Sequence, residues 1–182
     1  MNDADAIDLA LLVFRCGVGA VMLAHGINHI GWEGGKLGGK IEGTAGWFGS
    51  MGMRPPLLQA WLASVTEIGA GALLVVGLLT PFGGAGVTGV MFVAWAINHR
   101  GNGFFIFRPG EGWEYVMTLG LCGMVLGAVG PGSWSLDDAL DLRDDLTGWT
   151  GLLISVGAGV GGAIALLVAC WRPPPSNGAA PD

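Results

Sequence analysis

The chain alternates between long apolar stretches and shorter polar connections. Five apolar spans run over residues 7–30, 57–79, 82–98, 113–130 and 148–171. Each lies near the roughly 20 residues a helix needs to cross a hydrocarbon core. The first has no basic stretch before it and no A-x-A site, so it reads as a retained anchor and not a cleaved signal.

Two opposite charges interrupt this pattern, Arg15 in the first span and Glu67 in the second. A charge at bilayer depth costs about 2.5–3.5 kcal/mol even on the lenient insertion scale, so such residues are paired or used. At helical periodicity Arg15, Gly19, Met22, His25, Gly26 and His29 share one side of the first span, and Glu67 shares its face with Ala60, Ala63, Ser64 and Gly71. Counting about 1.5 Å per residue puts Arg15 roughly 12 Å and Glu67 roughly 18 Å below the same boundary, a gap an arginine side chain spans. The expectation is an Arg15–Glu67 ion pair.

A second polar layer lies toward the other boundary. The tripeptide Ile-Asn-His ends both the first and third spans, placing Asn28, His29, Asn98 and His99 at one depth, with Glu114 and Thr118 starting the fourth. His99 is expected to share a face with Trp95, Phe92 and Thr88. Three uses compete for this layer. His25 with His29, or His29 with His99, could ligate haem or a metal. An imidazole or carboxylate could hydrogen-bond a quinone carbonyl, with Trp95 and Phe92 flanking the ring. A solvated helix-end cluster needs no ligand at all.

Composition narrows the class. Of 182 residues, 52% are hydrophobic and only 12% charged, against about 25% charged in a soluble domain. The 35 glycines suit close-packed membrane helices, and the net charge of −6 argues against a nucleic-acid surface. Cys16, Cys122 and Cys170 fall in apolar spans without a CxxC pair, which excludes a disulfide framework and a paired-cysteine metal site. Lys36, Lys40, Arg54, Arg100, Arg108 and Arg172 fall in the connections on one side, against Arg143 alone on the other. That bias makes the Arg-rich side cytoplasmic, with the N-terminus outside.

The connections carry their own signals. Residues 44–53 are short and amphipathic, with Trp47 and Phe48 suited to the headgroup layer, and Pro55-Pro56 suits the first turn of the second span. Ser135-Leu-Asp-Asp138 matches a capping box opening a short acidic helix. The loop 101–112 holds Phe104, Phe105 and Phe107, either as a lid over the polar layer or as a membrane anchor. Gly84-Gly86-Gly89 and Gly157-Gly159-Gly162 match G-x-G-x-x-G, but no strand precedes either, so helix packing explains them better than nucleotide binding. Gly123/Gly127 and Gly157/Gly161 are small-xxx-small faces for that packing.

The run Arg15…His25-Gly26, then Glu67-Ile-Gly-Ala-Gly71 with Gly77-Leu-Leu-Thr80, then Gly112-Trp-Glu-Tyr115 and Gly130-Pro-Gly-Ser-Trp-Ser-Leu-Asp137, resembles the DoxX family of small bacterial membrane proteins. The likeness covers roughly residues 7–140. It implies an all-α four-transmembrane-helix bundle over 1–147, to which this chain adds a fifth transmembrane helix at 148–172 and a disordered tail at 173–182. It also implies that Arg15, Glu67 and Glu114 match recurrent charged positions of the family. His29 departs from it, standing where the family's H-G-x-x-K pattern has lysine, which exchanges a fixed charge for a titratable one.

The resemblance implies a plasma-membrane subunit of a quinone-linked redox system, whose polar cluster binds a quinone or similar amphipathic molecule. No flavin, haem or iron–sulfur motif is visible, so a partner redox protein would supply electrons. The rival reading is a non-catalytic scaffold docking partner proteins through the fifth helix and the acidic outer segment. Transport of a small solute is a weaker third, since neither an inverted repeat nor a midplane helix break is visible. Expected partners are membrane lipid and a second copy packed through glycine-rich faces. The topology is testable: a reporter fused after Asp182 should read cytoplasmic, and an outside signal would overturn the span count or the orientation.

Overall fold

A computed structural model describes residues 3–31 and 40–173. Lys36 and the tail residues 174–182 lie outside the described residues, so the disorder expected of the tail is not addressed. The described residues are helical, with one isolated bridge pair, Met53 with Trp171. Long helices are α1 (Asp3–Ile30), α3 (Pro56–Val76), α4 (Thr80–His99) and α8 (Gly148–Cys170), each long and apolar enough to cross a membrane. Between them lie α2 (Ile41–Ser50), the shorter apolar α5 (Glu114–Val129, 16 residues), and two single turns, α6 (Leu136–Ala139) and α7 (Arg143–Leu146).

Helix α4 is central, packed by α3, α5 and α8, while α1 packs on α3. Its glycines explain how three neighbours fit. A Cβ on Gly84 would stand 2.5 Å from the Gly123 carbonyl oxygen of α5. One on Gly86 would meet Ala70 of α3 at 2.7 Å, and one on Gly89 would meet the Gly159 carbonyl of α8 at 2.9 Å. The three positions of the apparent nucleotide fingerprint thus face three different helices. Such close backbone approach is how helices associate where water provides no driving force. Gly123 and Gly127 are packed as expected, but Gly157 and Gly161 meet nothing within 4 Å, because α8 turns Gly151, Ser155 and Gly159 toward the bundle instead. Ser155 donates its hydroxyl to the Pro81 carbonyl at 3.0 Å, anchoring α8 to the start of α4.

At the end of the molecule where α3 turns into α4, the chain reverses over Gly77–Thr80. Gly77 adopts φ 66°, and the Gly77 and Leu78 amides close the last turn of α3 on Leu74 O and Leu73 O. The remaining carbonyls are taken by Arg15, which is 2% exposed. Its Nη1 donates to Leu74 O at 2.9 Å and also to Val75 O, and its Nη2 donates to Trp134 O. The other half of the turn is held by Asp137, fully buried. Its carboxylate accepts from Leu79 N at 2.7 Å, Thr80 N at 3.0 Å and Thr80 Oγ1 at 2.8 Å. A cation thus sits on a helix C-terminus and an anion on the next N-terminus, each at the favourable pole of the dipole.

The Arg15–Glu67 pair expected from sequence is therefore corrected. Arg15 stands level with Val75, eight residues or about 12 Å along α3 from Glu67. Two causes account for the error: α3 ends at Val76, short of the expected Leu79, and the acid serving Arg15's end of the molecule lies in the 130–147 segment.

That segment is ordered by its own capping. The Ser135 hydroxyl accepts from Asp138 N at 3.2 Å, as the capping box predicts. Asp8 of α1 accepts from Ser133 N at 2.8 Å. On the surface Arg143 contacts Asp138 at 2.6 Å and Asp144 at 3.2 Å; the Asp144 hydrogen bond, then the Asp138 charge, raise its guanidinium above the ordinary arginine range. The opposite end is tied by Arg54 N to Cys170 O at 2.8 Å and Arg172 N to Gly52 O at 2.8 Å, which join the end of α8 to the turn before α3. The free cysteines are half-buried, and Cys16 lies against Val75 O at 3.7 Å.

The glycine contacts set a clear contrast. Gly84→Leu drives a side chain into the Gly123 backbone and should cost at least about 1–3 kcal/mol. Gly157→Leu faces open space and should leave thermal unfolding of the detergent-solubilised protein unchanged. Equal effects at the two positions would contradict the packing described.

Candidate functional site

At the end away from the Arg15 turn, α1 to α5, α8 and the 101–113 loop line a half-open cavity of about 570 Å³ with mainly apolar walls. Glu67 enters it from α3 at only 4% exposure. Gly26 makes room for the carboxylate stem: a Cβ there would approach Glu67 Cβ at 3.0 Å. One turn further along α1, His29 Nε2 comes within 3.2 Å of Glu67 Oε2. That distance fits an ion pair, yet Oε2 has no aligned hydrogen bond. Leaving a buried polar atom without a hydrogen bond costs about 1–3 kcal/mol, and among the described residues Arg15 Nε is the other buried side-chain atom in that state.

The other imidazoles are oriented by the backbone. His25 Nδ1 faces Val21 O at 2.9 Å, which makes Nδ1 the donor, and its ring stacks on Tyr115 with centroids 6.0 Å apart. His99 Nδ1 donates in the same way to Glu111 O at 2.8 Å, while its Nε2 accepts from the Asn98 amide at 3.3 Å. His29 meets the edge of Phe48 at 6.0 Å. Both ring nitrogens of His99 are thus occupied, so the His29/His99 ligand pair weighed above is not preorganised. No group of three His, Cys, Asp or Glu among the described residues is placed to hold a metal ion.

The cavity gathers His25, His29, Glu67, Asn98 and His99, and omits the rest of the expected set. Arg15 belongs to the far turn. Asn28 is exposed on the far side of α1. Glu114 accepts from Ile106 N at 3.2 Å and fastens the loop, and Thr118 caps back onto Glu114 O at 2.8 Å on an exposed face. Phe92, Trp95 and Thr88 line a different hollow, so their expected shared face with His99 is corrected. The reason is local: residues 95–99 form a π-helical turn, with Arg100 N bonded to Trp95 O, and the extra residue carries His99 out of phase with the preceding α-helix.

Several lining residues escaped the sequence reading. Gln59 stands two turns before Glu67 on the same face, so i, i+4, i+8 spacing could have found it. Tyr115 is the only tyrosine of the chain, hidden beside the more conspicuous Glu114. Trp47 and Phe48 looked like headgroup anchors but turn toward the cavity, because α2 lies against α3 through Ile41, Ala45 and Ala60 and bonds Thr44 Oγ1 to His29 O at 3.0 Å. The loop faces two ways. Ile106 and Glu111 line the cavity, whereas Phe107 is 78% exposed and stacks on Phe105 at 5.1 Å.

The DoxX family model matches residues 10–100, from the first helix to the end of α4. This stretch contains Arg15, His25, His29, Glu67 and His99; the 112–115 and 130–137 motifs lie beyond it. No curated protein and no solved structure matches the chain. Helices of this length and hydropathy, together with that match, make the chain a small, membrane-embedded member of the DoxX family.

Proposed function

We propose that this protein is the membrane subunit of a quinone-linked redox system and that the Glu67 cavity holds the quinone head. In this reading five helices span the bacterial plasma membrane as a four-helix bundle with α8 added, the Arg-rich end facing the cytoplasm. The observation carrying the proposal is Glu67 Oε2, buried, unbonded and aimed into a cavity with largely apolar walls. A quinone carbonyl or hydroquinone hydroxyl supplies the missing polar partner, and its ring and tail suit walls built from Phe48, Tyr115, Ile97 and Leu166.

The division of labour follows from the residues. Glu67 and His29 exchange protons with the ring oxygen, while His99 is held by Asn98 and Glu111 and shapes the wall. Reducing equivalents come from a partner protein. The scaffold alternative loses part of its docking surface, because Asp137 is buried in the turn and Asp138 and Asp144 already contact Arg143.

Titration of the purified protein with a short-tailed quinone, followed by tryptophan fluorescence, tests the proposal. Saturable quenching is expected, and its amplitude should be smaller in Trp47→Phe, which keeps the other seven of the chain's eight tryptophans. Glu67→Gln should weaken binding about tenfold, the worth of one hydrogen bond to a charged group. The melting temperature of the variant, measured alongside, shows that it is folded. No saturable quenching, together with no quinone in the lipid extract of the purified protein, would overturn the reading.

A further inference from the structure

The Glu67 cavity does not use the second hollow at the same end. About 520 Å³ in volume, it lies between α4, α5 and α8, with walls that include Phe92, Trp95, Trp113, Met117 and Leu121. Trp95, Met117 and Leu121 are 38%, 38% and 51% exposed, so the hollow is open along its side. These exposed walls belong to α4, long and apolar enough to cross a membrane, and to the shorter apolar α5. The only charged residue of the hollow is Arg100, at its mouth.

Arg100 is exposed, and its guanidinium lies 5.2 Å from the centre of the Trp171 ring. Among the described residues no carboxylate stands within ion-pair distance of it, and it makes no side-chain hydrogen bond. The same end carries Arg54 and Arg172, drawn to Trp171 by the backbone bonds that tie α8 to the 52–54 turn. Arg172 is occupied, donating to Val168 O, Ala169 O and Trp171 O at 2.8–3.2 Å. Arg100 is therefore a free planar donor fork, beside a tryptophan and above an apolar hollow open to the bilayer.

From this juxtaposition we infer that the α4–α5–α8 hollow is a binding site for an anionic phospholipid, its acyl chain lying along Phe92 and Leu121 and its phosphate on Arg100. Guanidinium matches phosphate oxygens in a bidentate way that an ammonium does not. Basic pockets between membrane helices on the cytoplasmic side are where anionic headgroups bind. The unpaired cation selects the headgroup, and the hollow selects the chain. The quinone reading plays no part in this inference.

Native mass spectrometry of the full chain, stripped of lipid in detergent, tests it with phosphatidylglycerol, phosphatidylcholine of the same chains, and inorganic phosphate. One phosphatidylglycerol should be retained about fivefold over phosphatidylcholine, the increment of one arginine at the surface. Arg100→Gln should abolish that preference, while Arg108→Gln, whose guanidinium lies near the Phe105 ring, should keep it. Gly120→Leu should lose the bound lipid altogether. A Cβ there meets only Met91 at 3.5 Å, so the backbone tolerates the change and the side chain fills the hollow. Each variant's melting temperature, close to that of the parent, shows that it is folded. Equal retention of the two lipids, a preference that survives Arg100→Gln, or displacement of the lipid by inorganic phosphate would each overturn the site.

Discussion

The turn between α3 and α4 depends on two buried charges that never touch the candidate site. Ending a helix inside a membrane protein strands carbonyls, and starting the next one strands amides. Arg15 supplies donors to Leu74 O and Val75 O, and Asp137 supplies acceptors to Leu79 and Thr80. The two residues are 122 positions apart in sequence and come from α1 and the segment after α5. This turn consequently brings together the beginning, middle and later part of the chain. It fixes where α4 enters the bundle, and α4 is what the other helices pack around.

Once α4 is fixed, its glycines decide the rest. Gly84 and Gly89 admit the backbones of α5 and α8, and Gly86 admits Ala70 of α3. At the end away from the Arg15 turn, α1 brings His29 to Glu67, the π turn at 95–99 puts His99 out of phase with the rest of α4, and α2 adds Trp47 and Phe48 to the cavity wall. Each end keeps one buried polar atom without a hydrogen bond, Arg15 Nε at the turn and Glu67 Oε2 beside the cavity.

The sequence revealed much of the helical architecture and less of the site. Apolar length sufficed for the long helices, and the capping box at Ser135 and Pro56 at the start of α3 appeared where local chemistry places them. The cost of intramembrane charge rightly singled out Arg15 and Glu67, but it carries no information on partners. Pairing depended on a three-residue error in the end of α3, and on an aspartate whose neighbours made it look like one more surface acid. Phe92 and Trp95 were assigned to the wrong hollow because α-helical phasing cannot anticipate a π turn. Glu111 was overlooked because loop folding, not periodicity, brings it to the cavity, and Tyr115 because Glu114 beside it drew attention.

Double-mutant cycles on the solubilised protein, read as unfolding free energies, bear most directly on the claim that Arg15 belongs to the turn and Glu67 to the cavity. Arg15→Met alone should cost about 3–5 kcal/mol, since it leaves buried carbonyls and an acid without their cation. Paired with Asp137→Asn, it should show a coupling of at least about 1 kcal/mol; paired with Glu67→Gln, the effects should add within about 0.5 kcal/mol. Strong coupling of Arg15 to Glu67, with none to Asp137, would contradict the account.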